Sequence, residues 1–261
     1  MKESLLYHCF SRTKKDSIII LDSILHNGFY LKREKVNIGW DDPDGFTTSK
    51  EIEINQYRLC LTSLDDDHDL FEHGKLFGQI GLGFKTDFIR CIGGFPVFYL
   101  PTPILNKFDQ TVEGTANGVS LFYRLAELRA ILDAIDQLPI KYQKILKTKV
   151  KDFQNTQGAL IFIGNILYLT NRKNDDTKLH YYQQREWRII AGSNPMIQKK
   201  ISFDTYAISE FQGKPISSYI EEIIIMDDMK NKETVNQILK NHGLNVPIRC
   251  IKSPIKNYNS A

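Results

Sequence analysis

The residues with the strongest chemical character lie in one stretch, Tyr182-Gln183-Gln184-Arg185-Glu186-Trp187-Arg188-Ile189-Ile190-Ala191. It starts polar and ends as an apolar, β-branched run, which puts Glu186 where a strand emerges from a loop. A carboxylate flanked by Arg185 and Arg188 and next to an indole is either a salt-bridged corner or a reacting centre. Residues two apart on a strand share a face. Gln184, Glu186 and Arg188 are therefore expected on the cleft side, and Arg185, Trp187 and Ile189 on the core side. One carboxylate suits chemistry at a sugar carbon, because it places negative charge where an oxocarbenium-like transition state turns positive. A cleft that breaks the glycosidic bond of a nicotinamide dinucleotide also needs donors for the ribose and the amide, and an aromatic to stack on the ring. His8, Tyr30, Thr62 and Ser63 are the candidates for those parts, with Gln184 orienting the acceptor.

Each candidate has a plainer reading. A lone histidine in an apolar run such as Leu5–Phe10 is more often a satisfied core residue than a catalyst. His68 and His73 stand among Asp65, Asp66, Asp67 and Asp69, but their i, i+5 spacing does not put both imidazoles on one helical face. A solvated acidic loop is expected there, and no metal centre. Gly78, Gly81 and Gly83 lack a strand–GxGxxG–helix setting, so bulges or close backbone packing are expected instead of a phosphate cradle. Neither a nucleophile elbow nor a P-loop is found.

The elements that must position these residues follow from periodicity and punctuation. Residues 4–10 read as a strand. Asp16-Ser17 opens a helical stretch that Asn27-Gly28 closes. Residues 33–55 are polar, with an Asp-Pro-Asp-Gly turn signal at 42–45, and read as a surface loop or flap. Strands are expected at 57–64, 76–84 and 95–100. Two helices follow, at 119–135 and in the lysine-rich segment 141–151. Strands resume at 158–169, 186–191 and 219–226, before a helix at 230–241 and a last strand at 246–251. Strands at both ends with helices between predict an α+β fold. It is read as a single domain, 1–261, with a helical insertion at about 115–153.

Composition narrows the setting. The chain is 42% hydrophobic and 25% charged, which excludes wholesale disorder. A net charge of +3 is too small to imply nucleic acid by itself. The lysines of 141–151 are usually a solvated helix face, with a phosphate-binding patch as the alternative. Cys9, Cys60, Cys91 and Cys250 form no CxxC or zinc spacing, and no apolar run is long enough to span a bilayer. A reduced, cytoplasmic protein is expected.

Two resemblances reach these residues. LYHCFSR with ILHNGF, LFGQIGLGF, GGFPVFYLP, REWRII and the closing YIEEIIIMDD…ILKNHGL resemble the AbiGi-type abortive-infection family, the antitoxins of bacterial phage-resistance pairs. This resemblance covers most of the chain and implies a cognate toxin or antitoxin partner. A more distant similarity is to ADP-ribosyltransferase folds, which carry an Arg or His on a first strand, an aromatic or Ser-Thr-Ser middle motif, and a late Gln/Glu-x-Glu. Here His8, Leu61-Thr62-Ser63 and Gln184-x-Glu186 match those motifs, with Leu61 departing from the leading Ser. That similarity implies a mixed or antiparallel split sheet, NAD as substrate, no metal, and a nucleic-acid or protein acceptor. The alternative is a non-catalytic antitoxin or sensor whose contact surfaces are segments 33–55 and 141–151.

Overall fold

The computed structural model describes residues 4–10, 14–40, 50–100, 131, 134–135, 137–149, 167–169, 185–226 and 232–252. The chain divides into two compact units. The first comprises Met1–Glu34, Tyr57–Pro96 and Gln184–Ala261, and the second Lys35–Gln56 and Val97–Gln183.

The main sheet is mixed, and all of its strand residues other than those of β2 and β3 within Lys35–Gln56 belong to the first unit. Its strands are β1 (Leu5–Phe10), β2 (Phe29–Trp40), β3 (Lys50–Thr62), β4 (Ile80–Lys85), β5 (Gly94–Pro96), β8 (Glu186–Ile190), β9 (Lys199–Ser202), β10 (Thr205–Ile208), β13 (Ile220–Met226) and β14 (Ile248–Ile251). The path runs β14-β13-β4-β1-β3-β2-β10-β9, with β8 paired to β3 and β5 paired to β8. β13 and β14 are parallel, whereas β4 pairs antiparallel with both β1 and β13. A small antiparallel pair, β11 (Glu210–Phe211) and β12 (Lys214–Pro215), leads through a 3-10 turn into β13. Helix α3 (Thr86–Cys91) joins β4 to β5; in the second unit, β6 (Phe98–Leu100) and β7 (Leu167–Leu169) form a parallel pair, and α4 spans Ile140–Lys149. The α+β class is as expected, and the sheet mixes parallel and antiparallel pairs.

Strand alternation gives the sheet two different faces. On one, Leu6, Phe10, Phe29, Leu31, Leu82, Phe84, Ile189, Ile223 and Ile225 form the main core. Helix α1 (Lys14–Asn27) packs Leu21, Ile24 and Leu25 into it, and α5 (Lys232–Asn241) adds Val235 and Leu239. Gly28 ends α1 at φ +78°, where a Cβ would lie 2.1 Å from the Ile208 carbonyl oxygen; only glycine fits both demands. On the other face, Tyr7, Ile224, Met226 and Ile251 pack under α2 (Asp67–Phe77), which contributes Leu70 and Phe71.

The acidic cluster at 65–69 is not a solvated loop. Asp66 is the N-cap of α2, accepting the backbone N–H groups of His68 at 2.8 Å and Asp69 at 3.2 Å, and Asp67 and Asp69 occupy the first turn. Carboxylates there satisfy orphan donors and sit at the positive end of the helix dipole. Residues 33–55 also differ from the expected loop, since 33–40 continue β2 and 50–55 open β3. Strict alternation in Glu51-Ile52-Glu53-Ile54 carries the strand signal that the polar composition hides. Leu76-Phe77 end α2 rather than starting a strand, and the break falls at Gly78-Gln79. Most of the expected helix at 119–135 and most of the expected strand at 158–169 lie outside the described residues.

Candidate functional site

Three strands bring the sequence-selected motifs side by side. In β1–β3 pairing Tyr7 stands opposite Thr62, and in β3–β8 pairing Thr62 stands opposite Glu186. Directly paired residues point to the same side of a sheet. Tyr7, Thr62 and Glu186 therefore form one polar row on the face covered by α2. The Ser63 N–H donates to the Arg185 carbonyl at 3.2 Å, tying the end of β3 to the start of β8. Arg185 itself adopts φ +44°, an uncommon conformation for a non-glycine residue, directly before Glu186.

Glu186 is gripped from its own strand. Arg188 Nε donates to Oε1 at 2.8 Å and Nη2 to Oε2 at 3.2 Å, in the bidentate geometry that suits guanidinium and carboxylate. The two side chains are 12% and 2% exposed, respectively. Cys60 stands opposite Arg188 on β3. Burial, reinforced by the Glu186 charge, pushes its thiol up to about 12, so it is no thiolate nucleophile at neutral pH. Trp187 and Ile189 pack on the main core, so the expected split of this strand into a core side and a polar side is observed.

The histidines divide differently from the sequence expectation. His8 shares the face of Leu6 and Phe10; its ring lies 5.6 Å from Phe10 and 5.9 Å from Phe29, and Nδ1 donates to the Cys60 carbonyl at 2.8 Å. It is thus on the opposite face of the sheet from Glu186, and Tyr7 takes the place in the row expected for His8. Burial lowers His8 from 6.5 to about 4. Tyr30 stands opposite Ala207 on β2, and β3 separates that strand from β8. Gln184 lies outside the described residues. The structure therefore joins Thr62, Ser63 and Glu186, and adds neither His8 nor Tyr30 to them.

His73 is the residue that spacing arguments set aside. It sits on α2 stacked on Phe77, with ring centroids 4.5 Å apart. Burial lowers it to about 4, the Glu186 charge opposing the shift and the His8 ring adding to it. Its Nδ1 is buried with no hydrogen-bond partner. No group of three or more metal-ligating side chains occurs among the described residues. The readable signal was different: His73 lies between Leu70 and Phe77 on the helix turn that also presents Phe71 and Gly74.

A second polar cluster anchors the far end of this face. Arg249 donates from Nε to Glu222 Oε2 at 3.2 Å, and from Nη2 to Glu222 Oε1 and to the Tyr7 hydroxyl, both at 2.9 Å. Tyr7 in turn donates to Glu222, and Arg249 also pairs with Asp67 on α2. Burial, then Glu222, raises the Tyr7 phenol above its ordinary range. The cluster links β1, β13, β14 and α2, and so fixes the helix that carries His73. No helix among the described residues is long and apolar enough to cross a membrane. Comparison with family models, with curated proteins and with solved structures returned no match.

Proposed function

We propose that this chain is a cytoplasmic phage-defence protein with an ADP-ribosyltransferase-like split sheet that cleaves NAD at Glu186. The supporting observation is the meeting of two motifs distant in sequence: Thr62-Ser63 ends β3 against Glu186 at the start of β8. In this reading the bond from ribose C1′ to the nicotinamide nitrogen breaks and its electron pair leaves with nicotinamide. Water or a macromolecular acceptor then bonds to C1′ and gives up a proton. Glu186 places negative charge beside the developing oxocarbenium ion, with Arg188 fixing its direction. Thr62 and Ser63 hold ribose hydroxyls. His73, neutral at pH 7, offers its unpaired Nδ1 to the same ligand. Nicotinamide release by the full chain is the test. Wild type should release it, and Glu186→Gln should lower the rate by about 100-fold or more, read at a temperature where the variant, less stable because Arg188 has lost its counter-charge, is still folded. No release by wild type, with protein or nucleic-acid acceptors present, overturns the reading.

A second reading, a partner-binding antitoxin or sensor, is favoured by α4. Its Ile140 and Ile145 are 71% and 58% exposed, and Tyr142 and Leu146 are exposed beside Lys141, Lys144 and Lys147. An apolar stripe rimmed by lysines suits an acid-rimmed groove on another protein. Under this reading the chain co-elutes with the product of a neighbouring gene, and Ile145→Glu separates the two; unchanged co-elution of that variant excludes α4 as the contact.

A further inference from the structure

The β9–β10 turn holds a phenyl ring out in water on an unusually well-pinned backbone. Phe203 is 75% exposed. Its carbonyl accepts the Tyr57 hydroxyl at 3.2 Å, and the neighbouring Asp204 carbonyl accepts the Arg33 N–H at 2.9 Å. The Asp204 carboxylate accepts the hydroxyls of Ser202 at 2.6 Å and Thr205 at 3.1 Å, bonds that hold its pKa below the ordinary value. Two cations attend the ring: Arg33 Cζ at 5.6 Å and Lys200 Nζ at 5.8 Å from its centroid. Lys32 and Lys199 are exposed on the same two strands, and Asp204 is the acid of the turn itself.

Edge protection explains part of this. β9 ends the sheet path, and Ile201 is the extra residue where the β9–β10 register shifts, so lysines and a bulge blunt the edge. Neither device calls for an aromatic ring fixed in solvent between cations. An apolar pocket on a partner protein would strip water from Arg33 and Lys200 as it swallowed the ring, a costly step without matched acids. A nucleobase stacked on Phe203 instead leaves the cations hydrated beside the phosphates that flank it. Base–aromatic stacking with a basic track is how single strands are bound without sequence preference.

We propose that the β9–β10 turn docks single-stranded nucleic acid, with one base stacked on Phe203 and the adjoining phosphates on Arg33 and Lys200. The inference does not rest on NAD cleavage, because binding is measured with no NAD present. If both hold, it identifies the acceptor class.

Fluorescence anisotropy of a labelled oligodeoxythymidylate of about a dozen nucleotides, titrated with the full chain, is the measurement. Two phosphate contacts predict binding about sevenfold weaker at roughly 200 mM than at roughly 50 mM salt. Phe203→Ala should weaken binding at least about fivefold while Phe203→Trp retains it. The side chain is exposed, so the melting temperature of either variant should stay at the wild-type value. Absence of wild-type binding at low salt overturns the proposal, as does a Phe203→Ala variant that binds like wild type. Binding to polyglutamate in preference to the oligonucleotide also overturns it, and redirects the surface to an acidic protein.

Discussion

Alanine at position 186 is expected to destabilise the first unit by about 3–5 kcal/mol, because it strips a buried guanidinium of its bidentate counter-charge. The size follows from burial: Arg188 is 2% and Glu186 12% exposed, so little water can replace the lost carboxylate. Arg188→Ala should cost a similar amount for the converse reason. Replacing both residues with methionine removes the desolvation cost together with the attraction, and is expected to restore much of the lost stability. Urea midpoints for Glu186→Ala, Arg188→Ala and the variant carrying both alanines close a thermodynamic cycle that isolates the coupling of the pair, with the double methionine variant measured beside them. A Glu186→Ala cost below about 1 kcal/mol would place the pair with exposed ion pairs and remove its structural role. The same cost explains why activity has to be read on Glu186→Gln. The amide keeps the shape and an acceptor for Arg188 while removing the charge that an oxocarbenium ion would feel. Loss of nicotinamide release in an alanine variant would be ambiguous, and loss in a folded glutamine variant is not.

How far the sequence carried this site depended on which signal each residue left. Strand β8 was legible because Glu186-Trp187-Arg188-Ile189-Ile190 alternates, and Trp187 and Ile189 do pack on the main core. α1 was legible from its glycine stop, although it starts at Lys14, two residues before the expected Asp16 cap. His8 failed for a reason peculiar to strands: a shift of one residue reverses the face. Motif matching selects a residue type, whereas pairing of Tyr7 with Thr62 decides the side, and nothing within LYHCF reveals that partner. The segment 33–55 misled because a turn signal at its centre coloured the alternating residues on either side of it. Acidic residues 65–69 misled because a capping carboxylate and a solvated one look alike until the helix that follows is recognised. The short strands β9 to β12 carry too few residues for a period to show. Spacing tests His73 only as half of a metal pair, whereas its surroundings depend on the sheet face that α2 covers, which spacing does not reveal.

That helix also sets the pH response of the fold. His8 and His73 titrate near 4 in the folded protein, against an ordinary 6.5, chiefly because burial disfavours the imidazolium. Between those values the unfolded chain binds protons that the folded chain refuses. Stability should therefore be fully present above about pH 6.5 and fall as the pH drops toward 4. At roughly 1.4 kcal/mol per pH unit, each histidine sets an upper bound of about 3 kcal/mol over this window. Both residues are only partly buried, so solvent screening reduces each contribution below that bound. The Cys9 and Cys60 thiols, both pushed up to about 12, stay protonated throughout and leave the histidines to shape the profile. Urea midpoints measured from pH 7.5 to pH 4 on wild type, His8→Gln and His73→Leu would resolve the two contributions. His8→Gln retains a donor for the Cys60 carbonyl without a titrating group, and should flatten the wild-type slope. His73→Leu should flatten it as well and raise stability at acid pH, because it removes a buried nitrogen that has no partner. Parallel slopes in all three proteins would show that neither ring is buried in solution as it is here. Under the proposed NAD cleavage, the same neutrality would let the His73 imidazole hydrogen-bond a ribose hydroxyl without competing with Arg188 for the carboxylate.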